Sequence, residues 1–234
     1  MGVEPVRPAS AVQPRSTHRC SPGKDEYDAA FRSHNASALA GIYREQINIA
    51  IWQRRLSETL ESKVESILRS GRALQIARTL APKRAATCIA KSLHISDTEE
   101  FCLDVAELVD MFCCLFGRKT AGLRLTVLDR AMCPRFHVDN VPCRLVTTYQ
   151  GPATQWLPHT CVNRSVLGAG NQGKPDAESG LYENSSDIQQ LGVGHVALLK
   201  GEHWEGNENA GLVHRSPAVL TGEGRLLLTL DMVD

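Results

Sequence analysis

The feature that most limits how this chain can fold is a change of apolar period near residue 121. Before it, apolar residues recur at helical spacing. Leu56, Leu60, Val64, Ile67 and Leu68 form one stripe, and Gly71 follows as a left-handed cap. Residues 72–95 predict further helix with a break at Pro82. Val105, Leu108, Val109, Phe112, Leu115 and Phe116 form the clearest stripe; Ser96 or Asp97 is the expected cap, Glu99 and Glu100 suit the positive helix end, and Gly117 stops it. After residue 121, Leu123, Leu125 and Val127 alternate with Arg124 and Thr126 as in a half-buried strand. Residues 145–149, 193–199, 211–213 and 225–230 also predict strands, and one earlier segment, 46–51, alternates in the same way. A helical front half before an antiparallel β half makes an α+β chain.

Three regions follow. Residues 1–40, with Pro5, Pro8, Pro14 and Pro22 among Ser, Arg and Gln, predict a disordered Pro/Ser-rich tail. Residues 41–120 predict a mainly helical support, and residues 121–234 a β core with a polar insertion at 163–190. An insertion of that length is expected to act as a lid over a site. The 26 basic and 26 acidic residues cancel, which argues against broad capture of nucleic acid or of an anionic membrane. No apolar run is long enough to span a bilayer, and the first residues lack the apolar segment of a secretory signal, so the expected location is cytoplasmic. Eight cysteines without a CxxC pair suggest reduced thiols, with Cys102, Cys113 and Cys114 in the core.

The chemistry concentrates in CPRFHVD, residues 133–139. Residues two apart on an extended segment share a face, so His137 and Asp139 can bind one ion together. His214, in GLVHRSP just before the final strand, is the expected third ligand. Two imidazoles and one carboxylate on one side of an ion leave the opposite positions open, as in non-haem iron(II) oxygenases. Taken alone, HxD is weak, and most such tripeptides are surface polar residues. Cys133 and Cys143 flank it and keep a zinc site open as an alternative. His159, His195 and His203 are taken as ordinary surface or core histidines, and Trp156 as a packing residue.

The pattern CPRFHVD, VPCRLVTTYQGPATQWL, HVALLKGE, HRSP and RLLLTLD resembles an uncharacterised bacterial family known only as a domain of unknown function, over residues 47–231. More distantly it is similar to the 2-oxoglutarate/iron(II) dioxygenases, whose fold is a double-stranded β-helix, a jelly-roll or cupin-like barrel. The resemblance implies a helical N-terminal half packed on such a barrel, with iron(II) and 2-oxoglutarate as cofactors. The superfamily's order of HxD, a later His, and a basic residue about ten positions on is matched by His137, Asp139, His214 and Arg225. A guanidinium can grip the distal carboxylate of 2-oxoglutarate with two hydrogen bonds. Arg215 and Arg144 are rivals to Arg225, and Ser216 or Tyr149 can add a hydroxyl. The leading expectation is therefore an oxygenase of unknown substrate. A non-catalytic zinc protein (store, sensor or chaperone) is the rival, because the resembled family is associated with zinc-responsive gene neighbourhoods. A barrel serving only as an interaction scaffold is a third reading.

Overall fold

The computed structural model describes residues 30–71 and 73–233. Two sheets face each other. The larger runs β1 (Ala30–Ser33), β2 (Ile49–Trp52), β8 (Val196–Lys200), β5 (Cys143–Gln150), β10 (Arg225–Met232), β4 (Ala121–Leu128) and β3 (Gln75–Leu80). The smaller runs β7 (Gln189–Gln190), β6 (Gln155–Leu157) and β9 (Val213–Arg215). All pairings are antiparallel except that of β1 with β2.

Helices α1 (Glu58–Arg69), α2 (Pro82–Leu93) and α3 (Glu99–Leu115) cover one face of the larger sheet. In α1 the Ser57 hydroxyl accepts from the Leu60 N–H, and Leu60, Val64 and Ile67 turn to the core. Gly71 takes φ +63° beyond it, the left-handed turn that glycine reaches without steric cost. The long α3 buries Phe101, Val105, Leu108, Val109 and Phe112 against Leu123 and Leu125 of β4 and Leu226, Leu228 and Leu230 of β10. The other face of the sheet packs on the smaller one. Ile49, Ile51, Val146, Ala197, Leu199 and Leu227 meet Trp156 and Leu212 there.

Several expectations are corrected. The front half holds α1, α2 and α3, and it also supplies β1, β2 and β3 to the larger sheet. Residues 75–80 form an edge strand on β4, and Pro82 opens α2 at its first turn, where a missing N–H costs nothing, rather than breaking a helix. Of the predicted tail, residues 30–40 carry β1 and most of a 3₁₀ helix, Ala36–Tyr43. The remainder of that expectation, and Cys20, lie outside the described residues. Thr98, without a side-chain cap bond, precedes α3 in place of Ser96 or Asp97. Cys102 and Cys113 are buried as expected, but Cys114 is exposed. Among the described residues no helix is long and apolar enough to cross a membrane.

The insertion at 163–190 is a chain of short turns around α4 (Asp176–Ser179). Its Val166, Leu167, Leu181, Tyr182 and Ile188 pack with Phe136, Val138, Leu157 and Val213. These last four alternate with His137, Asp139, Trp156 and His214, so they face outward from the smaller sheet. These five side chains of the insertion therefore lie behind the smaller sheet, and its last two residues form β7 of that sheet.

Candidate metal centre and anion pocket

His137 and His214 sit directly opposite each other, exchanging both backbone hydrogen bonds, His137 N–H to the His214 carbonyl at 3.0 Å and the reverse at 2.9 Å. Opposed residues point to one face, which brings the imidazole centroids to 4.6 Å. Asp139, two residues on, joins them. Ligand atoms from the three lie within 4.8 Å of one another, and among the described residues no other trio of His, Cys, Asp or Glu does so. Small residues seat this segment from behind. A Cβ on Gly201 would stand 2.6 Å from the Asp139 carbonyl oxygen and 2.0 Å from that of Val141, so this close approach admits only glycine.

Both rings are held in one tautomer. Nδ1 of His137 lies 2.9 Å from the Arg135 carbonyl and Nδ1 of His214 3.1 Å from the Leu212 carbonyl. A carbonyl only accepts, so each Nδ1 carries a proton, and in the neutral ring each Nε2 presents a lone pair. Those lone pairs aim at the Asp139 carboxylate, His214 Nε2 at 3.3 Å from Oδ2 and His137 Nε2 at 3.8 Å from Oδ1. The 3.3 Å approach is a hydrogen bond only when His214 Nε2 bears a proton; with Nε2 bare, the buried Oδ2 has no partner. Burial, reinforced by His214, pushes the His137 pKa below its usual value, which favours the bare form. Burial works against ionisation of Asp139, but His214, Arg144 and His137 outweigh it and hold its pKa at about 2. Three electron pairs converging in this way repel one another until a cation stands between them. Donors around an ion at metal–ligand distances of roughly 2.0–2.2 Å lie about 3 Å apart, so the trio has to draw in from separations of up to 4.8 Å.

Arg225 opens β10 at 1% exposure. Nη1 donates to Ser216 Oγ at 2.5 Å, and Nη2 to Thr154 Oγ1 at 2.9 Å and Thr148 Oγ1 at 3.2 Å. Its Nε has no partner, and among the described residues no carboxylate pairs with it. Burial alone lowers its pKa to about 10. A buried guanidinium facing only hydroxyls costs several kcal/mol relative to water, a cost an incoming anion removes. Ser216, which this cation holds, stands two residues beyond His214 in the chain.

The rival arginines are committed elsewhere. Arg144 binds Asp231 through Nε at 2.6 Å and Nη2 at 3.0 Å, and reaches Asp139 Oδ1 through Nη1 at 2.8 Å. Arg215 binds Gln155 and Asp176 and stacks 4.3 Å above Phe136. Tyr149 faces the helices, where its hydroxyl donates to Asp104 at 2.6 Å. Tyr149→Phe is thus expected to lower stability by about 1–2 kcal/mol in urea titrations. The cysteine-assisted zinc set does not assemble. Cys143 lies in the helix-side core, where burial raises its pKa far above the thiolate range, and Cys133 is exposed outside the trio.

Three contributors were not visible in the sequence: Thr148, Thr154 and Asp176. The Asp176 carboxylate of α4, with its side chain 8% exposed, accepts at Oδ2 from the Phe136 N–H at 3.0 Å and from Arg215 Nη1 at 3.2 Å. One carboxylate thereby ties the neighbours of both histidines together. Asp176→Ala should cost about 1.5–3 kcal/mol of stability and weaken metal retention, read by urea unfolding and by competition with a chelator. Unchanged metal retention in a destabilised variant would make Asp176 a fastener of the insertion alone.

A family model described as "Protein of unknown function (DUF1826)" matches residues 33–231. No curated protein matches the chain by sequence. Among solved structures, the chain is similar to the dioxygenase for auxin oxidation 1 of Arabidopsis thaliana in complex with 2-oxoglutarate, at 8% identity and TM-score 0.46, covering 88% of this chain and 92% of that one. The rice dioxygenase for auxin oxidation gives 10% identity and TM-score 0.47, covering 88% and 82%. HygX from Streptomyces hygroscopicus with iron bound gives 12% identity and TM-score 0.45, covering 84% and 85%. With TM-scores below 0.5, none of these carries a functional reading, which has to come from the residues of the site.

Proposed function

This chain belongs to the family of unknown function DUF1826, so its activity has to be read from the site, and we propose that it is an iron(II)- and 2-oxoglutarate-dependent oxygenase. The observation that carries the reading is the buried Arg225 without a counter-ion, bonded to Ser216, which follows two residues after His214 of the converging His137, Asp139 and His214. Two imidazoles and one carboxylate form a donor set that leaves other positions of an iron(II) ion open. A divalent cation, Arg144 and Arg225 set against Asp139 and Asp231 leave a twofold positive excess, which a dianion cancels. A dicarboxylate of five carbons has the reach to chelate the cation at one end and meet the guanidinium at the other.

When bound, the iron and the 2-oxo acid supply the oxidation: dioxygen is consumed, 2-oxoglutarate leaves as succinate and carbon dioxide, and one oxygen atom enters a substrate C–H bond. The chain's own residues prepare that event. The Arg135 and Leu212 carbonyls fix each ring's tautomer and plane, so both Nε2 atoms are ready to ligate. Ser216, Thr148 and Thr154 hold the Arg225 guanidinium still in a water-poor space, where its grip on a carboxylate is strengthened.

The test is an anaerobic load with iron(II), then air and 2-oxoglutarate, with succinate measured. Iron-dependent succinate that vanishes in His137→Ala supports the oxygenase. Tight zinc binding without any affinity for 2-oxoglutarate would instead favour a zinc store built on the same three ligands.

A further inference from the structure

Resting on the metal reading above, we infer that Arg144, held flat by Asp231, is a positioning residue that makes Asp139 a one-oxygen ligand. Arg144 and Asp231 are directly opposed on β5 and β10, in the interior of the larger sheet. The Asp231 carboxylate takes Nε and Nη2 in a two-point grip, which fixes the plane of the guanidinium. Nη1 is thereby aimed at Asp139 Oδ1, 2.8 Å away. That contact occupies one carboxylate oxygen and turns the other, Oδ2, toward His214 Nε2. With His214 Nε2 bare, the buried Oδ2 has no hydrogen-bond partner, the condition of an atom that a cation would satisfy.

The order of the chain of contacts matters. Asp231 acts on the metal only through Arg144, because it belongs to neither the trio nor its shell of carbonyls. Without the grip, the guanidinium can rotate away, and Asp139 is free to turn both oxygens to the ion. Lysine cannot substitute. Its point charge on a flexible stem supplies attraction to both carboxylates but no fixed plane.

Cobalt(II) titration of the intact chain, followed by its d–d absorption and by chelator competition, reads the effect without turnover. Asp231→Asn and Arg144→Gln should each weaken cobalt binding by about 10- to 100-fold and shift the bands. The double variant should be no weaker than Arg144→Gln alone, and Arg144→Lys should recover only part of the loss. Asp231→Asn with wild-type affinity and spectrum overturns the inference, as do additive losses in the double variant or full rescue by lysine. If Arg144→Gln does not fold, the comparison of Asp231→Asn with Arg144→Lys decides the question. Failure of the wild type to bind cobalt at all overturns the metal reading itself, a result distinct from the others.

Discussion

Arg225→Gln protein is expected to bind 2-oxoglutarate about 100- to 1000-fold more weakly than the wild type while retaining divalent metal within about threefold. The arginine is 1% exposed and meets only hydroxyls, so a carboxylate arriving there gains two charge-assisted bonds in a desolvated space. Losing them is worth about 3–4 kcal/mol, at 1.4 kcal/mol per factor of ten. Glutamine keeps polar atoms near Ser216 and Thr154 and brings no buried charge, so the variant should remain folded. Calorimetric titration of 2-oxoglutarate into manganese-loaded protein checks this. Equal affinity in wild type and variant would remove Arg225 from the cosubstrate site.

His214→Ala should reduce metal affinity by about 1000-fold and abolish succinate formation, because one of only three protein donors is gone. The side chain is 9% exposed and pinned through Nδ1, so its removal leaves a ring-shaped space lined by fixed groups. Added imidazole is therefore expected to restore part of the metal binding. A variant that merely unfolds would not respond to imidazole, and a variant that keeps full affinity would show that His214 is no ligand. His137, with a side chain 34% exposed, should respond less well to the same rescue.

The contrast between legible and illegible parts of this chain follows from range. The α3 stripe and the alternation of β10 are local patterns, and both are readable from neighbouring residues. His137 and Asp139 were legible because strand spacing alone puts them on one face. Asp231 was readable by the same rule, since it lies six residues beyond Arg225 on the same strand face. Gln75–Leu80 was not, because Ala, Leu, Gln and Arg favour helix, and only pairing with β4 makes the segment a strand. Likewise β1 exists through its parallel partner β2, which no local pattern announces. At the site, Thr148 and Tyr149 both carry hydroxyls, and the choice between them depends on which face of β5 each occupies. As neighbours on one strand they turn to opposite faces, Thr148 toward Arg225 and Tyr149 toward the helices. Thr154 comes from the connection between β5 and β6 and has no signature of its own.

The seat of residues 163–190 has a bearing on any attempt to re-engineer this protein. Grafting a foreign segment there, in the hope of a new substrate preference, would exchange the buttress behind the two histidines. The first property to drift would be the hold on any metal the trio takes, since Asp176 fastens the segments that carry both rings.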